Sequence, residues 1–225
     1  VLDGGTIRVQ TKDRFWSGAL KKSSLIVGVD VPWVTSWTAE AILGVRRCPS
    51  VGGRLALSQG EQAGYGRPEY SKNHLLRQRL SVARMLCPMC GEATAEDDRV
   101  TQVARRVPAG RLRASGRGLD LSPGIDDAQV LIDAGAIAPL HRRCSDLSLA
   151  HCPHLRAEPA VDVQPFPTRW TLVPLMIEAT APAPAGHALI RSLGAPQSVS
   201  VITFLQLCGI SDQLDRAWRT RRKAA

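Results

Sequence analysis

The chain has 225 residues and carries 29 Lys+Arg against 20 Asp+Glu, a formal net charge of +9, with 44% hydrophobic but only 4% aromatic residues. That length is ample for one large domain or two small ones, and the ordinary apolar content excludes wholesale disorder. No apolar run reaches the roughly 18 residues of a membrane span, and no basic, apolar, small-residue succession opens the chain, so neither a span nor a secretory signal is expected.

Residues 1–68 read as a β-rich segment. Thr6 to Gln10 alternates, and Ser24 to Val31 is a β-branched run, so both are expected as strands. Trp33 and Trp37, with Trp16 as a third candidate, are expected to anchor a small core. Thr38 to Leu43 reads as a short helix, and the glycine-rich stretch 48–68 as a loop or irregular hairpin.

Residues 69–156 read as a second unit. It opens with a long helix, Glu69 to Leu86, whose apolar face is Leu75, Leu76, Leu80, Val82, Ala83 and Leu86 and whose remaining surface holds Lys72, Arg77, Arg79 and Arg84. The helix runs into Cys87-Pro-Met-Cys90-Gly91. Further on come His141-Arg-Arg-Cys144 and then His151-Cys152-Pro-His154.

A Cys-x-x-Cys-Gly knuckle points two sulfurs at one spot, and Gly91 permits the positive φ of such a turn. Two ligands at i, i+3 share one face of a helical turn. Zinc takes four ligands from thiolate and imidazole in such paired hooks, so Cys87, Cys90, His141 and Cys144 are the expected ligands of one Zn2+. Knuckle first and helix-borne pair last is the layout of a treble clef.

His151, Cys152 or His154 in place of His141 is the alternative ligand. Cys144 and Cys152 stand eight residues apart, about 12 Å along a regular helix, too far to share a metal, so Cys152 reads as a core thiol. A redox pair of Cys87 and Cys90 is the other alternative, without the βαβ pattern that accompanies one. Cys48 and Cys208 read as ordinary buried cysteines.

Between the hooks lies a long insertion, residues 91–140. Arg99, Arg105, Arg106, Arg111, Arg113 and Arg117 crowd its first half with no acid among them. Val100, Val103 and Val107 suggest a strand there, Pro108 to Gly110 a turn, and Asp126 to Asp133 a short helix. Residues 157–225 form the C-terminal β segment. Arg169 to Ile177 reads as a strand, at an edge because Pro174 interrupts it, and Val199 to Leu207 as strand or buried helix, with Val199, Val201, Ile202 and Thr203 favouring strand; a further ordered segment runs from His187 to Leu193 between them. A basic helix from Asp212 to Lys223 closes it. The fold class expected is α+β, a treble-clef-like zinc module embedded between N-terminal and C-terminal β-rich segments.

Val31-Pro-Trp-Val-Thr-Ser-Trp-Thr-Ala-Glu40, Gly66-Arg-Pro-Glu-Tyr, His74-x-x-Arg77-Gln-Arg79, Leu86-Cys-Pro-Met-Cys-Gly91, Pro139-Leu-His-Arg-Arg-Cys144 and Cys152-Pro-His-Leu155 occur in one order. The chain thereby resembles a group of uncharacterised actinobacterial and actinophage proteins over about residues 29–155. The group usually shows two cysteine pairs, so His141 stands where it has cysteine. The resemblance implies a phage or mobile-element accessory role and no particular activity.

Three basic clusters, helix 69–86, Arg99 to Arg117 and the C-terminal Arg219, Arg221, Arg222 and Lys223, point to DNA or RNA, bound through the backbone because aromatic rings for base stacking are few. A protein-interaction or scaffold module stapled by zinc is the alternative. A nuclease of the His-Asn-His type shares the treble-clef frame but needs a catalytic histidine between the hooks. Residues 91–140 hold none, and Asp97, Asp98, Asp126 and Asp127 have no base beside them, so no catalytic residue is expected. Four protein ligands leave zinc no open position. No small-molecule cofactor or membrane partner is expected, and thiols kept for zinc suit the reducing cytoplasm.

Overall fold

The computed structural model describes residues 21–102, 105–115, 121–133, 139–157, 163–167, 169–180 and 198–210, together with 216, 220 and 223. Strands and helices are mixed, an α+β architecture. In chain order the elements are β1 (Thr35–Trp37), β2 (Ile42–Arg47), a 3-10 turn (Pro49–Val51), β3 (Leu55–Gln59), β4 (Pro68–Asn73), α1 (Leu75–Arg84), β5 (Arg99–Thr101), β6 (Arg105–Pro108), α2 (Ala109–Ala114), β7 (Val130–Asp133), β8 (Leu140–His141), α3 (Arg142–His151), α4 (Pro153–Ala157), β9 (Gln164–Pro165), β10 (Arg169–Thr180) and β11 (Ser198–Ile210).

The 13-residue β11 organises the main sheet. On one side it pairs with β10 over that strand's whole length. On the other it meets β3 in parallel at Ile202 and β7 antiparallel at Cys208 and Gly209. β2 extends the sheet beyond β3, and β6 beyond β7. One sheet therefore draws strands from the N-terminal segment, the insertion and the C-terminal segment. Two small sheets complete the fold: β1 with β4, and β8–β5–β9.

Helix α1 covers the gap on β11 between β3 and β7. Its Gln78 amide donates to the Leu205 carbonyl at 2.6 Å and accepts the Leu205 N–H at 3.0 Å, making both bonds that a neighbouring strand would make. Arg79 Nη1 donates to Thr203 and Leu57 carbonyls at 3.0 and 2.9 Å, and its Nε to Ser50 Oγ. Backbone groups buried without water need such partners. The apolar core beneath comprises Cys48, Val51, Ala56, Val82, Phe166, Ile202 and Leu207 among others.

The other flank of α1 holds a buried ion pair. Glu40 receives Arg77 Nη1 and Nη2 at 2.7 and 2.8 Å, the Trp37 N–H at 2.8 Å and the Gln62 N–H at 3.1 Å. His74 caps α1 through Nδ1, which accepts the Arg77 N–H, while Nε2 lies 2.9 Å from the Gly60 carbonyl. Neutral imidazole with the proton on Nε2 satisfies both contacts, and burial first of all lowers the His74 pKa from its ordinary 6.5.

Several expectations are corrected. The long helix starts at Leu75, not Glu69, because Pro68 to Asn73 pairs with β1 as β4. Ala83 is exposed, whereas Arg77, Gln78, Arg79 and Ser81 are buried. Thr38 to Leu43 is no helix: a turn leads into β2. Ser24 to Val31 is a turn carrying Gly28 at φ +84°, rather than a strand. Stretch 48–68 contains β3, and Pro108 to Gly110 opens α2. Asp126 to Asp133 forms a turn and β7, since its apolar residues Leu131 and Ile132 enter the sheet beside β6 and β11. The strands from Arg169 and Val199 are present and longer than expected, and β10 pairs only with β11 among the described residues. Thr6 to Gln10 and His187 to Leu193 lie outside the described residues.

Candidate metal centre

The chain leaves α1 through Met85, left-handed at φ 53°, and enters the knuckle at once. There the Gly91 N–H donates to the Cys87 carbonyl at 2.8 Å, and the Cys87 N–H to the Glu92 carbonyl at 2.7 Å. Gly91 has φ +83°, and a Cβ on it would stand 2.9 Å from the Trp33 ring, so a side chain is excluded on two grounds. The N-terminal segment clamps the knuckle from outside. Trp33 and Val34 N–H groups donate to the Met89 and Pro88 carbonyls, at 2.8 and 3.0 Å.

The second pair comes from β8 and α3. Strand β8 pairs with β5, setting His141 at the N-cap of α3 and Cys144 within its first turn. Asp98 receives the Arg142 N–H at its carbonyl and carboxylate, at 3.2 and 3.1 Å, which fixes the start of the helix. Gln102 donates to the Ser145 carbonyl at 2.8 Å and holds the helix against β5.

These elements bring Cys87, Cys90, His141 and Cys144 together, with their ligand atoms all within 4.8 Å of one another. His141 Nδ1 lies 3.5 Å from Cys90 Sγ and 3.8 Å from Cys144 Sγ. A tetrahedral zinc with ordinary bond lengths requires sulfur–nitrogen edges of about 3.6 Å, so the cluster has the dimensions of a metal site. His141 Nε2 lies 3.1 Å from the Ala93 carbonyl. A carbonyl only accepts, so Nε2 carries the proton and Nδ1 is left with its lone pair toward the sulfurs, the usual outer support of a metal-bound histidine.

Two of the thiols, Cys90 and Cys144, resist ionising by themselves. Burial, with Cys87 and Cys90 alongside, pushes the Cys144 pKa up to about 12. Burial also raises Cys90, against a backbone hydrogen bond from Glu92 that lowers it. Three adjacent thiolates in a dry site repel each other, and a divalent cation reverses that balance. The four residues can therefore hold a metal ion. None of the six cysteines is joined in a disulfide. Cys152 is only half-buried, at the C-cap of α3, and neither it nor His151 joins the cluster.

The expected nucleic-acid residues are placed differently from one another. Arg99 folds back onto Thr94, with Nε to Oγ1 at 2.8 Å and Nη2 to the carbonyl at 2.6 Å. Arg113 pairs with Asp127 and donates to the Ser122 and Ile125 carbonyls at 3.1 and 2.6 Å. Both guanidinium groups brace the fold. Arg106 and Arg111 are exposed, as is Lys223. The Arg105 backbone pairs with Asp133. Arg117, Arg219, Arg221 and Arg222 lie outside the described residues. Of the cluster expected on helix 69–86, Arg77 and Arg79 are buried in the bonds given above.

The residue that sequence reasoning missed is Ala93, which acts through its carbonyl and so leaves no side-chain signal. Comparison of the chain with family models, curated proteins and solved structures returns no match. No helix among the described residues is long and apolar enough to cross a membrane.

Proposed function

We propose that the protein binds one zinc ion through Cys87, Cys90, His141 and Cys144, as a structural fastener. The convergence of one imidazole nitrogen and three sulfurs, all within 4.8 Å of one another and with the histidine proton held on the far nitrogen, carries this reading. Three sulfurs and one nitrogen suit zinc better than magnesium or calcium, which take oxygen. The knuckle, the β5–β8 pair and α3 follow the order of a treble clef, with β6, α2 and β7 inserted. Four protein ligands leave no position for substrate, so the metal's role is to join α1 and the knuckle to α3 across the insertion. Structural zinc supplies on the order of 10–16 kcal/mol of apparent binding free energy, enough to decide whether such a module folds.

Beyond the metal, the net charge of +9 supports a nucleic-acid-binding accessory role, of the phage or mobile-element kind that the resemblance implies. Elemental analysis of the purified protein tests the first part. One zinc per chain, with a cobalt-substituted spectrum of three sulfurs and one nitrogen, is the expected result. Protein that is folded without metal, or that holds it with other donors, refutes it.

A further inference from the structure

The arginines singled out by sequence are partly consumed by the fold, while another group is left free. Residues 41–60 and 70–91 contain no aspartate or glutamate at all. They form β2, the 3-10 turn, β3 and α1, so these elements carry basic residues and no acid of their own. Within it, Arg77 and Arg79 point inward, and Arg46, Arg47, Arg54 and Arg84 are exposed.

Strand alternation sorts these four. Arg46 pairs with Ala56, and the Cys48 N–H bonds to the Arg54 carbonyl, so Arg46, Cys48, Arg54 and Ala56 share one face of the β2–β3 hairpin. Cys48 and Ala56 are buried against α1. Arg46 and Arg54 therefore stand at the rim of the face that α1 covers, as diagonal cross-strand neighbours within about 8 Å. Arg84 sits in the last turn of α1. Arg54 and Ala83 line one cavity of about 190 Å³, which brings the end of α1 beside the hairpin. None of the three forms an ion pair among the described residues. Arg47 lies on the opposite face and donates to the Gly53 carbonyl at 3.3 Å.

We propose that Arg46 and Arg54 on the β2–β3 hairpin, together with Arg84 in the adjoining last turn of α1, form a binding surface for the phosphate backbone of a nucleic acid. This rests on the nucleic-acid reading above and moves its centre away from Arg99 to Arg117. Arg46 spends one Nη2 hydrogen on the Leu43 carbonyl at 3.4 Å and is otherwise exposed, so the three guanidinium forks keep donors for phosphate oxygens, and β2, β3 and α1 carry no carboxylate of their own to compete for them. Nothing in the surface reads bases, so binding is independent of sequence.

The test is fluorescence polarisation with short labelled DNA and RNA, single-stranded and duplex, at about 50 and about 200 mM salt. Three proteins are compared: wild type, Arg46→Ala/Arg54→Ala/Arg84→Ala, and Arg106→Ala/Arg111→Ala. The triple variant is expected to bind at least roughly tenfold more weakly and to lose about three units of salt slope, one per phosphate contact, while the double variant keeps most of its affinity. The four probes tell DNA from RNA. If wild type binds and only the double variant weakens, the surface is wrong and the nucleic-acid reading stands. If wild type binds none of the probes at low salt, both fall. Competition by poly-glutamate as strong as by unlabelled nucleic acid assigns the surface to an acidic protein and also overturns the proposal. Should the triple variant not fold, hydrogen exchange of wild type with and without nucleic acid decides: protection at residues 46–54 and 84 supports the surface, and protection elsewhere alone refutes it.

Discussion

Glu40→Gln changes only one oxygen to an amide, yet it strikes the most polar part of the core. The Glu40 side chain is fully buried and takes four donors: two from Arg77, one from Trp37 and one from Gln62. Each carboxylate oxygen serves two of them. An NH2 at either position faces two donors with a donor, leaving two groups unpaired at about 1–3 kcal/mol each. The Arg77 guanidinium also loses its counter-charge while remaining buried. Breaking one side of such a pair costs about 3–5 kcal/mol in all, a large share of the roughly 5–15 kcal/mol that holds a domain together. Replacing both partners by apolar residues, Glu40→Leu with Arg77→Met, removes the unmatched groups together and is expected to cost less than Glu40→Gln. Urea unfolding of the two variants and wild type, at fixed zinc and pH, measures this. A loss below about 1 kcal/mol in Glu40→Gln, or a double variant that is the less stable of the two, refutes the reasoning.

Other outcomes follow from the same structure. Burial lowers the His74 pKa, so protonation favours the unfolded chain. Its contribution to stability is complete above the ordinary value of 6.5 and is lost as pH falls below that value. His74→Asn keeps a capping acceptor and is expected to flatten the stability–pH curve on the acid side, as measured by thermal unfolding at several pH values. An unchanged slope counts against a buried neutral imidazole. Cys87→Ser and Cys144→Ser are each expected to release zinc, whereas Cys48→Ser, remote from the cluster, keeps one ion per chain by elemental analysis. Retention in all three would remove the ligand assignment. Gly91→Ala must adopt φ +83° against the Trp33 ring, and the combined backbone and overpacking cost is roughly 2–4 kcal/mol by chemical denaturation. A neutral Gly91→Ala would mean that the knuckle is not held as described.

The metal cluster was the most legible part of the molecule because its information is local. Two ligands three residues apart define a hook without reference to the rest of the chain, and only their mutual approach needed the fold. Strands β10 and β11 were legible for a similar reason, being long and rich in β-branched residues. The failures came where a distant partner decides. Asp126 to Asp133 has helix-like composition, but Leu131 and Ile132 are claimed by the sheet edges of β6 and β11. In α1 the period of apolar residues was a poor guide, because Arg77, Gln78 and Arg79 are buried to serve backbone and carboxylate groups of other elements. A basic helix face looks the same in sequence whether its arginines meet water, phosphate or a buried glutamate. The arginines near Arg99 were misleading in the same way, since Thr94 and Asp127 absorb two of them.

The bonds from Gln78 to Leu205 give the sheet a fault line. Because β3 and β7 grip opposite halves of β11 and never meet, the β2–β3 and β6–β7 hairpins are two leaves on one spine, and a single amide occupies the place where a continuous neighbouring strand would stand. The two leaves share no backbone bond with each other, so a displacement of one reaches the other only through β11 and the helix that spans the gap. What joins them through α1 is a helix whose far end runs directly into the metal knuckle.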